Sequence, residues 1–399
     1  MSPDAAVARL AEPGQARPIL RVETLTRFTD AENLIPQWRQ LEARQGRAVL
    51  FQSAAWCLYV WRTRLAVSGE KAPEPRVIVV RQADDVIAIW PLAVQGGLAG
   101  RIAQDLTEPF GQYSDILLAP EADANAVREA VFAELTRWRI DALVLRRVRE
   151  DAALAPWLAA CGARLGADEG APQIAIERLG GVEAWRRSLN AKTRKNLRNY
   201  RNRLAREGRI VHSVIDDPAE RSDVVARCFD GRAGWLQSSG LTSSAFADPA
   251  FEAVVAGLAS GVRGGPRVVA LRLALERDDT DGPANTDLSL HWGVEHDGRY
   301  YAYMAARNPA FDGFSPGRLH LEDVIASMAA RGNGTIDLQV PAVPYKTSVA
   351  TDVIAVAAWA LPFTWRGRVV VQGWYNSVRP RLKAALLRLP PGIRRVVLG

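Results

Sequence analysis

The spacing of apolar residues divides the chain into alternating helical and extended segments. Leu34, Trp38 and Leu41 share one helix face, and Phe51, Ala55, Leu58 and Trp61 mark a second helix whose large side chains are expected in a core. "RVIVVRQADDVIAIWPL" reads as two strands folded back at Asp84 and Asp85, and "YSDILLAP" as a further strand. A helix from about Ala124 to Trp138, the strand "DALVLRRV" and a helix from Ala152 to about Ala163 complete the first half.

The second half repeats this order with different residues. "RVVALRLALE" is a strand, and "DLSLHWGVEHDGRYYAYMAAR" is a hairpin turning at Asp297 and Gly298, a dipeptide suited to the left-handed backbone of a two-residue turn. "SPGRLHLEDVIASMAARG" is a helix with Ser315 as N-cap, Pro316 at its first position and Gly332 at its end, and "TIDLQV" is the strand after it. The repeated order predicts an internal duplication: an α/β (α+β) chain of two tandem domains, each a mixed, mostly antiparallel sheet flanked by helices, with a cleft at their junction. The expected boundaries are a flexible arm at 1–18, a first domain at 19–180, a basic bridging helix and second domain at 181–352, and a basic tail at 353–399.

Composition agrees with this division. The 399 residues exceed one ordinary core, and 48% hydrophobic with 24% charged residues is the balance of a soluble globular protein. The net charge of +7 is distributed unevenly. Ten Lys or Arg stand against one glutamate between Arg186 and Arg209, and eight against no acid from Val353 onward, so the remainder of the chain is net acidic. Anion binding, if present, is local to those two stretches. In the first, Trp185, Leu189, Leu197, Tyr200 and Leu204 form the apolar face of one helix ending at Gly208. Arg194, Arg198 and Arg201 lie on another face, with Lys195 and Arg206 beside them. That face is either solvated or a wall for an anionic ligand, with Lys192, Arg194, Lys195 and Arg198 as the binding candidates.

Several chemistries are excluded or disfavoured by pattern. Cys57, Cys161 and Cys228 lack paired spacing and read as reduced thiols of the cytoplasm, and the four histidines offer no metal spacing, so no metal is expected. No GxSxG elbow, phosphate-binding Walker loop or strand-linked GxGxxG occurs. The N-terminus does not read as a secretory signal, and the longest uncharged apolar run, Val353 to Trp365, is too short to span a bilayer as a helix.

"KTRKNLRNYRNRLAREG", followed by "YYAYMAARNPAFDGFSPGRLHLEDVIASMAARG" and "DLQVPAVPYK", resembles the CelD-like branch of the GNAT acyltransferase superfamily, whose members are similar to the FemABX peptidyltransferases in carrying two GNAT copies. The resemblance runs from about residue 22 to 350 and takes in "FQSAAW", "IAIWPL" and "YSDILL". It implies two GNAT-like domains and transfer of an acyl group, from acetyl-CoA or another acyl-CoA, to an amine or hydroxyl of a cell-envelope or exopolysaccharide precursor such as a lipid-linked sugar. Holdfast-modifying N-acetyltransferases belong to that branch. The Gln/Arg-x-x-Gly-x-Gly/Ala loop of single-domain relatives is replaced here by Ser315, Pro316 and Gly317.

Thioester acyl transfer needs a held donor, a base for the acceptor and a proton for the leaving thiolate. The helix opening at Ser315, Gly317 and Arg318 is the candidate site for the donor's pyrophosphate, because first-turn N–H groups and the helix dipole attract anions; a plain cap is the alternative. Asp115 is the first candidate base and Asp337 the second, against ordinary strand-end roles for both. The resemblance adds Tyr345 as proton donor to the leaving group and Lys346 as a ligand for phosphate or acceptor. In the tail, "YNSVRPRLKAALLRLPPGIRRVVLG" reads as a short basic amphipathic helix, suited to the anionic cytoplasmic face of the inner membrane or to packing on the second domain. Its arginines also suit a cyclic dinucleotide. Two further readings remain open: a FemX-like transferase using aminoacyl-tRNA, where the basic helix would hold RNA backbone, and a non-catalytic membrane-associated module binding a regulatory nucleotide.

Overall fold

A computed structural model describes residues 19–45, 50–97, 100–261, 264–277 and 285–388. The expected arm at 1–18 lies outside them. The described residues group into two compact units: the first comprises those within 19–62, 70–168 and 356–384, and the second those within 63–69, 169–355 and 385–388.

The first unit begins with strand β1 (Leu20–Leu25) and helices α1 (Phe28–Asn33), α2 (Ile35–Arg44) and α3 (Ala54–Ser68). Strands β2 (Glu74–Gln82), β3 (Asp85–Gly97) and β4 (Gly100–Asp105) form an antiparallel meander with β1, and the two-residue β5 (Leu117–Leu118) pairs with β3. Helix α4 (Ala124–Arg137) starts where the Asp123 carboxylate accepts the Asn125 and Ala126 N–H groups, at 2.9 and 3.1 Å. It returns the chain to β6 (Ala142–Arg149), which lies parallel to β4, and α5 (Ala155–Cys161) follows. Trp38, Trp61, Trp90, Trp138 and Trp157 pack with the valines and isoleucines of β2 and β3 in the core, as the helical spacing of Trp38 and Trp61 predicts.

The second unit has the same plan. Strand β7 (Ala163–Ala175) leads through α6 (Ile176–Leu179) to α7 (Val182–Ser188) and α8 (Ala191–Leu204). The basic segment is therefore two helices where its spacing predicts one. Leu189 is extended, with ψ 142°, and Asn190 caps α8 by accepting the Thr193 N–H at 2.8 Å. Strand β8 (Arg209–Ile215), helices α9 (Pro218–Ser239) and α10 (Phe251–Ser260), and strands β9 (Arg267–Glu276), β10 (Asn285–His296) and β11 (Arg299–Arg307) follow. The β10–β11 turn falls at Asp297 and Gly298, both with positive φ, as expected. Helix α11 (Pro316–Ala330) then crosses to β12 (Thr335–Asp337), which lies parallel to β11, and a short helix α12 (Pro344–Thr347) follows.

The strand orders are β1-β2-β3-β4-β6-β13 and β7-β12-β11-β10-β9-β8, where β13 is Asp352–Pro362. Each unit is an antiparallel meander, a helical crossover to one parallel strand, and an antiparallel strand beyond it. This repeated topology is the duplication read from the sequence: two tandem domains of one plan. The domain limits differ from the expectation. The first unit's contiguous part ends near Asp168, and residues 356–362 pair with β6 of the first unit, from Val356 opposite Arg149 to Pro362 opposite Ala142. Val356, Ala357 and Ala360 are buried there, so the stretch expected as tail opens as a sheet strand. Helix α13 (Trp365–Val369), a π-helical stretch (Val370–Val378) and helix α14 (Arg379–Arg388) end the described chain.

Candidate active site

The second unit opens its sheet at one point. Parallel pairing of β11 and β12 runs from Arg299 opposite Thr335 to Tyr301 opposite Asp337 and stops. β11 continues to Arg307, while the Leu338 N–H donates to Pro172 O at 2.9 Å and so keeps the departing chain on the β7 side. A splayed edge of this kind leaves β11 backbone open to a partner beyond Tyr301. The chain leaving β11 passes through a 3₁₀ stretch, Pro309–Phe314, to Ser315.

Ser315 has a left-handed backbone, φ 51°, and its side chain makes no capping hydrogen bond. The expected cap is thus replaced by a sharp turn whose Ser315 carbonyl accepts the Arg318 N–H at 3.0 Å. Pro316 has no N–H, and the Gly317 amide is one of the first-turn groups an α-helix leaves without an intrahelical acceptor. A side chain at Gly317 would meet nothing within 4 Å, so the surface beside its Cα is open. Arg318 is exposed beside it.

Arg318 and Leu321 of α11 form one wall of a cleft whose other walls are Thr193, Asn196, Leu197 and Tyr200 of α8, and Tyr345, Ser348 and Val349 around α12. The structure therefore brings together three segments singled out in the sequence, but not through all the expected side chains. Positions 193, 196, 197 and 200 face the cleft at helical spacing, which turns Lys195 and Arg198 to the opposite side. Both are exposed, as is Lys192, and none of the three forms an ion pair among the described residues. Arg194 instead donates to the carbonyls of Arg187, at 2.8 Å, and Leu189. Arg201 bridges to Asp323 at 2.8 Å and Glu322 at 3.3 Å on α11, and Arg203 lies over the Phe314 ring. The basic segment is thus part fastening and part solvated face, and the cleft wall it supplies is polar and aromatic. Leu197 and Tyr200 come from the face expected to be apolar, and Thr193 and Asn196 at its border carry no charge or apolar bulk that would mark them in the sequence.

Lys346 donates from Nζ to the Gln339 carbonyl at 3.0 Å. Burial lowers its pKa to about 8, with Asp337 opposing and Arg232 of α9 reinforcing the shift. Loss of solvent around Tyr345 raises its phenol above the usual value, against the pull of Arg232, so it stays protonated near neutrality. Arg232 belongs to a helix absent from the sequence reading. Asp217 before Pro218 is its start signal and Gly240, with φ 58°, its stop signal.

The two candidate bases hold structure. Asp337 is fully buried; its Oδ1 accepts the Gln339 N–H at 2.8 Å and its Oδ2 lies 3.6 Å from Arg299. It braces the turn that carries the Lys346 acceptors. Asp115, in the first unit, accepts the N–H groups of Ile116, Ala153 and Leu154 at 2.8, 3.3 and 3.1 Å. A carboxylate so engaged fixes the turn before α5.

His291 is buried on β10 with Nδ1 3.1 Å from the Tyr300 hydroxyl. Burial, then the nearby Lys346 charge, drives its pKa down to about 3. His320 of α11 stacks edge-on to His212 and His291, with ring centroids 5.5 and 6.1 Å apart. These neutral rings form the floor behind α11, and no group of side chains suited to a metal occurs among the described residues.

Residues 191–347 match the family model described as an acetyltransferase (GNAT) domain, a span that starts at α8 and ends with α12. The matched span lies within the second unit. Among solved structures, FemX superposes on 89% of this chain and 100% of its own, with a TM-score of 0.61 at 11% identity. That likeness is one of fold. A tandem GNAT protein from the clavulanic acid biosynthesis pathway matches 87% of this chain and 99% of its own at 13% identity, TM-score 0.47. L-PGS from Bacillus licheniformis matches 89% and 96% at 10% identity, TM-score 0.47. A search of curated proteins returned no match.

Proposed function

We propose that the second unit is an acyltransferase, moving an acetyl or other acyl group from acyl-CoA to an amine or hydroxyl of an envelope saccharide precursor, as in the CelD-like branch. The observation that carries this is the splay of β11 from β12 beside the first turn of α11, where the Gly317 amide has no intrahelical acceptor and the space around its Cα is open. A thioester carbonyl has backbone to bond along β11, and a pyrophosphate has the start of α11 and Arg318. The matched GNAT domain covers both elements.

In this reading the acceptor nitrogen attacks the thioester carbon, the carbon–nitrogen bond forms and the carbon–sulfur bond breaks. Neutral Lys346 takes the proton from the acceptor, and the Tyr345 hydroxyl gives one to the departing thiolate. Asp337 and Gln339 position Lys346. Tyr200 and Asn196 offer a stacking face and an amide to a sugar ring. Incubation with acetyl-CoA and an amino sugar is expected to release free thiol in step with acylated product, and replacement of Tyr345 by Phe to slow release at least tenfold. Donor binding without thiol release, across amino and hydroxyl saccharides, would count against transfer to this class of acceptor.

A second reading has its own support: the outward cations Lys192, Lys195 and Arg198 have no ion pairs among the described residues and would suit the backbone of an aminoacyl-tRNA donor. Ribonuclease sensitivity of the transfer separates the two.

A further inference from the structure

Five of the eleven exposed large apolar side chains among the described residues fall within one short stretch of the first unit: Trp365, Val369, Trp374, Val378 and Leu382, from 45 to 74% exposed. Their spacing is four, five, four and four residues. The single five-residue step falls in the π-helical stretch, where i→i+5 bonding makes each turn roughly one residue longer than an α-turn. The irregular helix therefore keeps all five on one side.

The opposite side is fixed to the sheet. Val371 is buried, and Val370 and Tyr375 pack on Ile102, Ala142, Val144 and Ala360. A side chain at Gly367 would collide with the Asp141 carbonyl, so the helix approaches β6 too closely for anything but glycine. The outer apolar face is thus held outward by a rigid inner one.

Four cations, Arg366, Arg368, Arg379 and Arg381, are exposed along the same stretch, and no acid follows Asp352 in the sequence. That charge decides between occupants. A second copy of the chain docking through the same patch about a two-fold axis would set arginines against arginines with no carboxylate from this segment to offset them. An anionic bilayer meets both demands, taking the tryptophans at headgroup level and attracting the arginines. No helix of the described residues is long and apolar enough to cross a membrane, so the contact lies in the interface.

We propose that Trp365, Val369, Trp374, Val378 and Leu382, flanked by Arg366, Arg368, Arg379 and Arg381, form a docking face for an anionic lipid surface, independently of the chemistry in the second unit. The test is co-sedimentation of the full chain with vesicles of phosphatidylglycerol in phosphatidylcholine, and of phosphatidylcholine alone. Binding is expected to the first, to weaken with salt, and to fall at least tenfold in the W365A/W374A variant. Its melting temperature serves as the folding control. The R366Q/R368Q variant, which keeps the apolar face, should lose the salt-dependent share. The proposal is overturned if the full chain stays in the supernatant, or if both variants bind as the parent does. A lipid-free dimer dispersed by W365A/W374A would equally overturn it, assigning the face to a second copy.

Discussion

Lys346 ends on the Gln339 carbonyl, and the loss of water around its ammonium lowers its pKa to about 8. A base works when neutral, so transfer should be slow below that pH and rise to a plateau above it. In Lys346→Met the remaining activity should lose this limb, whereas a purely structural lysine would leave the profile's shape intact; a pH series of kcat/KM distinguishes them. Individual roles were the least legible level of the sequence. Tyr345 and Lys346 were reached through a family resemblance. Asp115 and Asp337 were chosen because a carboxylate lining a partly apolar cleft can serve as a base, and what overrides that choice is invisible in one dimension: three backbone N–H groups converge on Asp115, and Asp337 is buried under its own turn. The burial of His291 is invisible in the sequence for a similar reason, because the cover on its strand comes from α11.

At the scale of elements, α8 depends on a break that periodicity hides. Leu189 and Leu197 lie in one hydrophobic cluster with Trp185 and Leu204, so the spacing of apolar residues passes through Asn190 without a sign of interruption. The asparagine cap is the local signal that wins, since its side chain satisfies an N–H at the start of α8. Asn190→Ala should lower stability by about 1 kcal/mol, with Asn190→Asp close to the parent, as read from urea unfolding. An unchanged midpoint in the alanine variant would mean that α7 and α8 act as one continuous helix. The hairpin of β10 and β11 and the helix α11 were legible in advance because Asp-Gly and Pro with a terminal Gly impose backbone angles directly. β13 was not legible, because a run without charges looks alike whether it pairs in a sheet or lies in a tail.

For the whole molecule, two units share a topology: meander, crossover, one parallel pair, and a last antiparallel strand. Order of elements along the chain was enough to reveal the duplication, since helical and extended periods survive wide divergence of residues. The exchange of chain between units was hidden, because residues 356–384 belong with the first unit after nearly two hundred residues of the second. The two units carry different surfaces, an open strand edge beside α11 in one and an apolar, basic helix face in the other. The central claim concerns the first of these, and Gly317 tests it most directly. Its backbone is not left-handed and its surroundings are empty, so Gly317→Val should fold normally while filling the space assigned to the donor's pyrophosphate. Titration of the full chain with acetyl-CoA by calorimetry should show saturable binding of one donor per chain, at least tenfold weaker in Gly317→Val at an unchanged melting temperature. Equal affinity in both proteins, or no binding by the parent at millimolar donor, would contradict the account.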